Sequence, residues 1–200
     1  MATVTHAEHP PEAHRSSRVD ARLLGMYFFI ASETMLFGAF FSAYFFARVV
    51  ASGGEAWPPE GFELPVYLAL LNTIILVTSS FTMHWALQSV KRNNRSGLVG
   101  GLALTFLLGL TFLLIQAREY TRIGFSPGDN AFASTFFGLT GLHGAHVFVG
   151  LNLLLYALVR SVRGHYGPEP EKHLGVELPG IYWHFVDVMW IVVYTTVYVI

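Results

Sequence analysis

Polar residues in this chain come in short clusters, and the stretches between them are apolar on nearly every side. From residue 21 to 50 the only charges are Arg22, Glu33 and Arg48. Residues 64–90, 96–117 and 130–159 carry no charge, and 178–200 carry only Asp187. About 20 mostly apolar residues suffice to cross a bilayer core of about 30 Å. Each stretch is closed by turn material: Gly53-Gly54 with Pro58-Pro59, Asn93-Asn94, Ser126-Pro127-Gly128-Asp129-Asn130, and Gly167-Pro168-Glu169-Pro170. The pattern predicts an all-α membrane protein, a bundle of five transmembrane helices at about 22–50, 64–91, 97–120, 131–161 and 178–200. Soluble helices of this composition would be shorter and would keep one polar face.

Composition sharpens this picture. Of 200 residues, 53% are hydrophobic and 12% charged, against about 45–50% and 25% in soluble domains. Such a chain is too apolar for disorder over most of its length. Twelve Lys and Arg against 13 Asp and Glu leave no basic excess for nucleic acid. The absence of cysteine excludes disulfides, thiolate zinc, iron–sulfur clusters and thiolate copper. The length suits one domain of residues 21–200. It follows a polar, disordered tail at 1–20 that has His6, His9 and His14 and no leader-like apolar core.

Lys and Arg near the helix ends set the orientation. Arg15, Arg18, Arg22, Lys91, Arg92, Arg95, Arg160, Arg163 and Lys172 fall on one side, and Arg48, Arg118 and Arg122 on the other. The N-terminus is therefore expected inside and the C-terminus outside. Trp57, Trp85, Tyr120, Tyr166, Tyr182 and Trp183 are expected at helix ends, in the interfacial belts. No internal repeat is evident, which speaks against an inverted-repeat transporter.

Ionisable groups at membrane depth are costly and default to functional hypotheses. Six qualify: Glu33, His84, His143, His146, His184 and Asp187. Glu33 lies 11 residues after Arg22, about 16 Å along a helix and near mid-membrane. A carboxyl there must be paired, hydrated or protonated. It reads either as a proton-relay group or as a protonated carboxyl bonded between helices. His143 and His146 stand three apart, on one helical face, among Gly138, Gly141, Gly144 and Gly150, which permit close helix approach. His184 and Asp187 repeat that spacing, so Asp187 is a candidate to orient an imidazole. A di-iron site would need more glutamates and a Glu-x-x-His motif on a spanning helix. Haem ligation by a pair such as His84 and His146 has only the histidines in its favour, so interhelical hydrogen bonding is the plainer account.

The motif strings carry more. They read Phe29-Ile-Ala-Ser-Glu33-Thr-Met-Leu-Phe37, Leu71-Asn-Thr-Ile-Ile-Leu-Val-Thr-Ser-Ser80, Gln116-Ala-Arg-Glu-Tyr120, Thr140-Gly-Leu-His-Gly-Ala-His-Val147 and Tyr182-Trp-His-Phe-Val-Asp-Val-Met-Trp190, in that order. Together they resemble subunit III of the haem–copper terminal oxidases, the cytochrome c oxidase polypeptide III family, over about 180 residues.

The resemblance implies a subunit without redox centres in a bacterial plasma-membrane complex that reduces dioxygen and pumps protons. Haem and copper would reside in the partner catalytic subunits, and no cofactor in this chain. The implied partners are catalytic subunit I, subunit II and membrane phospholipid. Glu33, His143, His146, His184 and Asp187 fall on family positions associated with proton uptake and a lipid pocket. Arg160 and Arg163 are candidates for lipid phosphates. The longest family members have seven helices, and this chain resembles their last five. Alternatives at this stage are an accessory subunit of a quinol oxidase or nitric oxide reductase, or an independent small transporter.

Overall fold

The computed structural model describes residues 20–54, 56–62 and 64–200. The expected N-terminal tail therefore lies outside the described residues, Asp20 excepted. Five helices are present: α1 (Ala21–Phe46), α2 (Val66–Lys91), α3 (Arg95–Tyr120), α4 (Ala131–Val162) and α5 (Pro170–Tyr194). A π-helical turn extends α1 through Ala47–Ala51, and another extends α5 through Thr195–Val199. No strand occurs among the described residues. All five helices are long and apolar enough to cross a membrane. At 1.5 Å per residue, the 26 residues of α2 reach about 39 Å.

The ends of the helices follow from local chemistry. Asp20, Asn94 and Asn130 stand at N-caps, where each side chain accepts from a backbone N–H of the first turn. Bonds from Arg22 hold the Asp20 carboxyl below its usual range. The cap is therefore in place above the ordinary carboxyl pKa and is lost only as pH falls through the lowered value.

The last helix departs from the expected start at 178. It begins at Pro170, with Glu169 extended before it and Glu171 in its first turn. Two extra turns precede the apolar run, and Pro179 sits inside the helix. They are helical because Leu174 and Val176 are buried against the bundle, a protein-facing reason that a search for hydrocarbon length misses. Trp183 and Tyr182 are consequently not interfacial. They lie mid-helix, 0% and 2% exposed.

α5 is the centre of the bundle and α1 its outlier. Of the most apolar 18 residues, 56% are buried in α5 and 6% in α1. α1 lies against α4 and α5 and fully buries only Phe37 and Tyr44 along its regular length. The Trp57 indole of the following loop donates to Tyr44 Oη at 3.0 Å and meets Phe132 edge-on.

α2 and α3 form a tight antiparallel hairpin, turned by Asn93 at φ 56°. Gly101 makes the close approach possible: a methyl there would sit 2.8 Å from Ala86 Cβ and 2.9 Å from its Cα. Since backbone cannot yield as a side chain does, Gly101→Val is expected to cost about 1–3 kcal/mol by overpacking. Thermal unfolding in detergent measures this, and an unchanged midpoint would refute the close-packed hairpin.

Candidate functional site: polar groups between the helices

Glu33 of α1 and His146 of α4 meet at 2.9 Å, Oε2 to Nε2, with side chains 18% and 10% exposed. The imidazole's other nitrogen, Nδ1, lies 2.8 Å from the Leu142 carbonyl. A carbonyl only accepts, so Nδ1 carries hydrogen. The Glu33–His146 link then holds one proton, placed either on the carboxyl or on Nε2. Either way the pair is stable at membrane depth without a bare charge. Phe37, one turn along α1, covers the ring at 4.9 Å between centroids.

His143 does not join this pair. Three helical residues differ by about 60° in direction, enough to aim the two rings into different grooves. His143 is fully buried between Phe112 of α3, at 5.6 Å, and Trp190 of α5, at 4.7 Å. Neither of its nitrogens has a partner among the described residues.

His184 and Asp187 of α5 come together through a third residue. Ser80 of α2 donates to Asp187 Oδ2, and its oxygen lies 3.0 Å from His184 Nδ1. A hydroxyl with its one hydrogen engaged can only accept from the ring, so His184 is Nδ1-protonated. Asp187 thus orients the imidazole through Ser80 and not directly. His84 stays exposed on α2, its Nε2 3.4 Å from the Gln88 amide nitrogen.

Hydroxyls of α2 also receive the indoles of α5. Trp183 Nε1–H donates to Ser79 and Trp190 Nε1–H to Thr73, both at 2.9 Å. Asn72 reaches the Phe112 carbonyl at 3.2 Å. Toward the end of α3, Glu119 is 4% exposed and accepts from Tyr198 Oη at 3.0 Å. Glu119 is not among the six ionisable groups that the charge pattern singles out. The available signal was its spacing three after Gln116, which places both on one inward face.

Arg160 lies over Tyr156 and Tyr166, 5.7 and 6.0 Å from the ring centroids, and donates to Tyr156 Oη. Burial and the neighbouring Tyr156 push the Tyr166 phenol up, and the Arg160 charge opposes them. Arg163 is exposed at the C-cap of α4. Among the described residues, no three His, Asp or Glu side chains converge as metal ligands.

A five-helix bundle with polar groups paired across its interior defines a multi-pass membrane protein. A family model described as cytochrome c oxidase subunit III matches residues 7–200. Cytochrome c oxidase subunit 3 of Thermostichus vulcanus is 40% identical over 188 residues, which cover 94% of this chain and 91% of the relative. The Synechocystis protein of the same name is 42% identical over 194 residues, 96% of this chain and 81% of the relative. That of Drosophila melanogaster is 42% identical over 178 residues, 87% of this chain and 67% of the relative. The chain belongs to the cytochrome c oxidase subunit III family.

Proposed function

We propose that the chain is the third subunit of a proton-pumping haem–copper cytochrome c oxidase in a bacterial plasma membrane, its N-terminus inside and its C-terminus outside. It carries no catalytic centre. Haem and copper belong to partner subunits I and II, and this chain stabilises subunit I, binds phospholipid and supports proton uptake. Family membership over nearly the whole chain supports the assignment to the complex. The observation that carries the role within it is the Glu33–His146 pair. A carboxyl and an imidazole share one proton at membrane depth, on the helix least packed by the rest of the chain. Within that hydrogen bond the proton can sit on either partner with little change in geometry, and α1 leaves the pair beside lipid or a partner subunit.

The remaining polar groups serve packing in this reading. His143 is wedged between aromatic rings, and His184, Ser80 and Asp187 bond α2 to α5. At the end of α4, Arg160 and Arg163 face phosphate depth, where guanidinium and phosphate pair strongly.

Purification through a tag on this chain in mild detergent, with an optical spectrum and mass spectrometry, tests the assignment. Haem absorbance and a large histidine-rich subunit are expected to accompany it, together with a cytochrome c-oxidising activity. A colourless chain that purifies alone and folded would overturn the reading, and quinol-oxidising activity would redirect it to the quinol branch.

A further inference from the structure

A cleft of about 600 Å³ opens between Leu64 and Leu68 at the start of α2 and Ile115, Arg118, Glu119 and Arg122 at the end of α3. Its size lies within the ~300–1,000 Å³ that small-ligand sites occupy. Arg118 and Arg122 are four residues apart at one end of α3. Among the described residues, neither guanidinium forms an ion pair. Between them in sequence, Glu119 is 4% exposed. Its Oε1 is engaged by Tyr198, and among the described residues its Oε2 has no partner. A buried carboxylate oxygen without a donor is costly, so a donor from outside the chain fits there. Leu68 and Leu71, 40% and 54% exposed on one face of α2, continue the cleft as an apolar rail.

We propose that this cleft binds a phospholipid whose headgroup carries both a phosphate and a primary ammonium, as phosphatidylethanolamine does. The phosphate lies against Arg118 and Arg122, because guanidinium forks match phosphate oxygens. The ammonium donates to Glu119 Oε2, and an acyl chain follows Leu68 and Leu71. A purely anionic headgroup would set a second negative charge beside a buried carboxylate. A quaternary ammonium has no N–H and would leave Oε2 without a donor. The site is at the opposite end of the bundle from Arg160 and Arg163, since Arg95 at the start of α3 donates to the Val162 carbonyl at the end of α4. It requires the chain to sit in a bilayer, not to sit in an oxidase.

The test uses the full chain with whatever subunits accompany it, stripped of loose lipid in detergent. The sample is then returned to nanodiscs of phosphatidylethanolamine, phosphatidylcholine or phosphatidylglycerol, and retained lipid is counted by native mass spectrometry. The wild type is expected to hold one more phosphatidylethanolamine than R118Q/R122Q, with R118K/R122K restoring most of the difference. It should prefer phosphatidylethanolamine to phosphatidylcholine about tenfold, the scale of one hydrogen bond to a charged group, and E119Q should abolish that preference. Equal lipid counts in wild type and R118Q/R122Q, or a preference for phosphatidylglycerol, would overturn the proposal. Should the glutamine pair fail to fold, E119Q and the lysine pair decide it through the headgroup preference alone. Co-purifying oxidase subunits are scored separately, so failure of the oxidase reading is told apart from failure of this one.

Discussion

Trp183→Ala is expected to lower the stability of the bundle by about 3–5 kcal/mol, the usual loss when a large buried aromatic is truncated. The indole is fully buried on α5 and touches three other helices. Its N–H donates to Ser79 of α2 at 2.9 Å. Its ring lies over Gly109 of α3 and Gly150 of α4, two positions where an added methyl would collide with it. At Gly150 that methyl would fall 2.8 Å from Trp183 Cε3. Truncation therefore opens a void that three helices border at once, which no single side chain can relax into. Trp183→Phe keeps most of the ring and loses the N–H, so it should cost less. The cost of Trp183→Phe against wild type contains the interhelical hydrogen bond, worth about 0.6–2 kcal/mol in membranes, and the further cost of Trp183→Ala is that of the lost ring. Thermal unfolding followed by tryptophan fluorescence measures both, and a wild-type midpoint in Trp183→Ala would show that α5 is not the keystone.

Glu33→Ala is expected to loosen α1, lowering retention of the chain in the purified complex about tenfold, whereas Glu33→Gln retains most of it. The glutamine amide can still meet His146 Nε2, while alanine leaves a buried ring nitrogen with no partner, an omission of about 1–2 kcal/mol. Because α1 buries so little else, this one link matters more to it than a similar link would to α5. Initial oxygen reduction should be largely intact in assembled Glu33→Gln, since the pair is not expected to touch the redox centres. The sharper loss should appear during sustained turnover. Measured oxygen uptake, with subunit content determined on the same sample, separates the two. Complete loss of activity in a fully assembled Glu33→Gln complex would contradict the assigned role.

The helix count was legible in the residues because the bilayer imposes it. Charges are excluded from about 20 residues at a time, and the gaps between Lys, Arg, Asp and Glu mark the spans. Turns were legible for a similar reason: Asn93-Asn94 and the segment around Pro127 are chemistry that a helix interior avoids. The start of α5 was not legible, because its first two turns are held by Leu174 and Val176 against protein and carry the charged Glu171, Lys172 and Glu177. Trp183 misled for the same reason: an indole near the expected end of a span looks interfacial until the helix is found to begin thirteen residues before it.

Which residue meets which was decided only by the tertiary structure. In water, a helix displays its core face as an apolar stripe. Lipid is as apolar as leucine, so a membrane helix can be apolar all round and its rotation leaves little trace in the sequence. The sequence by itself determined that six ionisable groups stand within the long apolar stretches. The packing chose Glu33 for His146, sent His143 among the rings of Phe112 and Trp190, and set Ser80 between His184 and Asp187. It also drew Glu119 inward to Tyr198. These pairings join residues as far as 113 positions apart, and they depend on how the helices turn about their own axes, an angle that side-chain fit sets and composition does not.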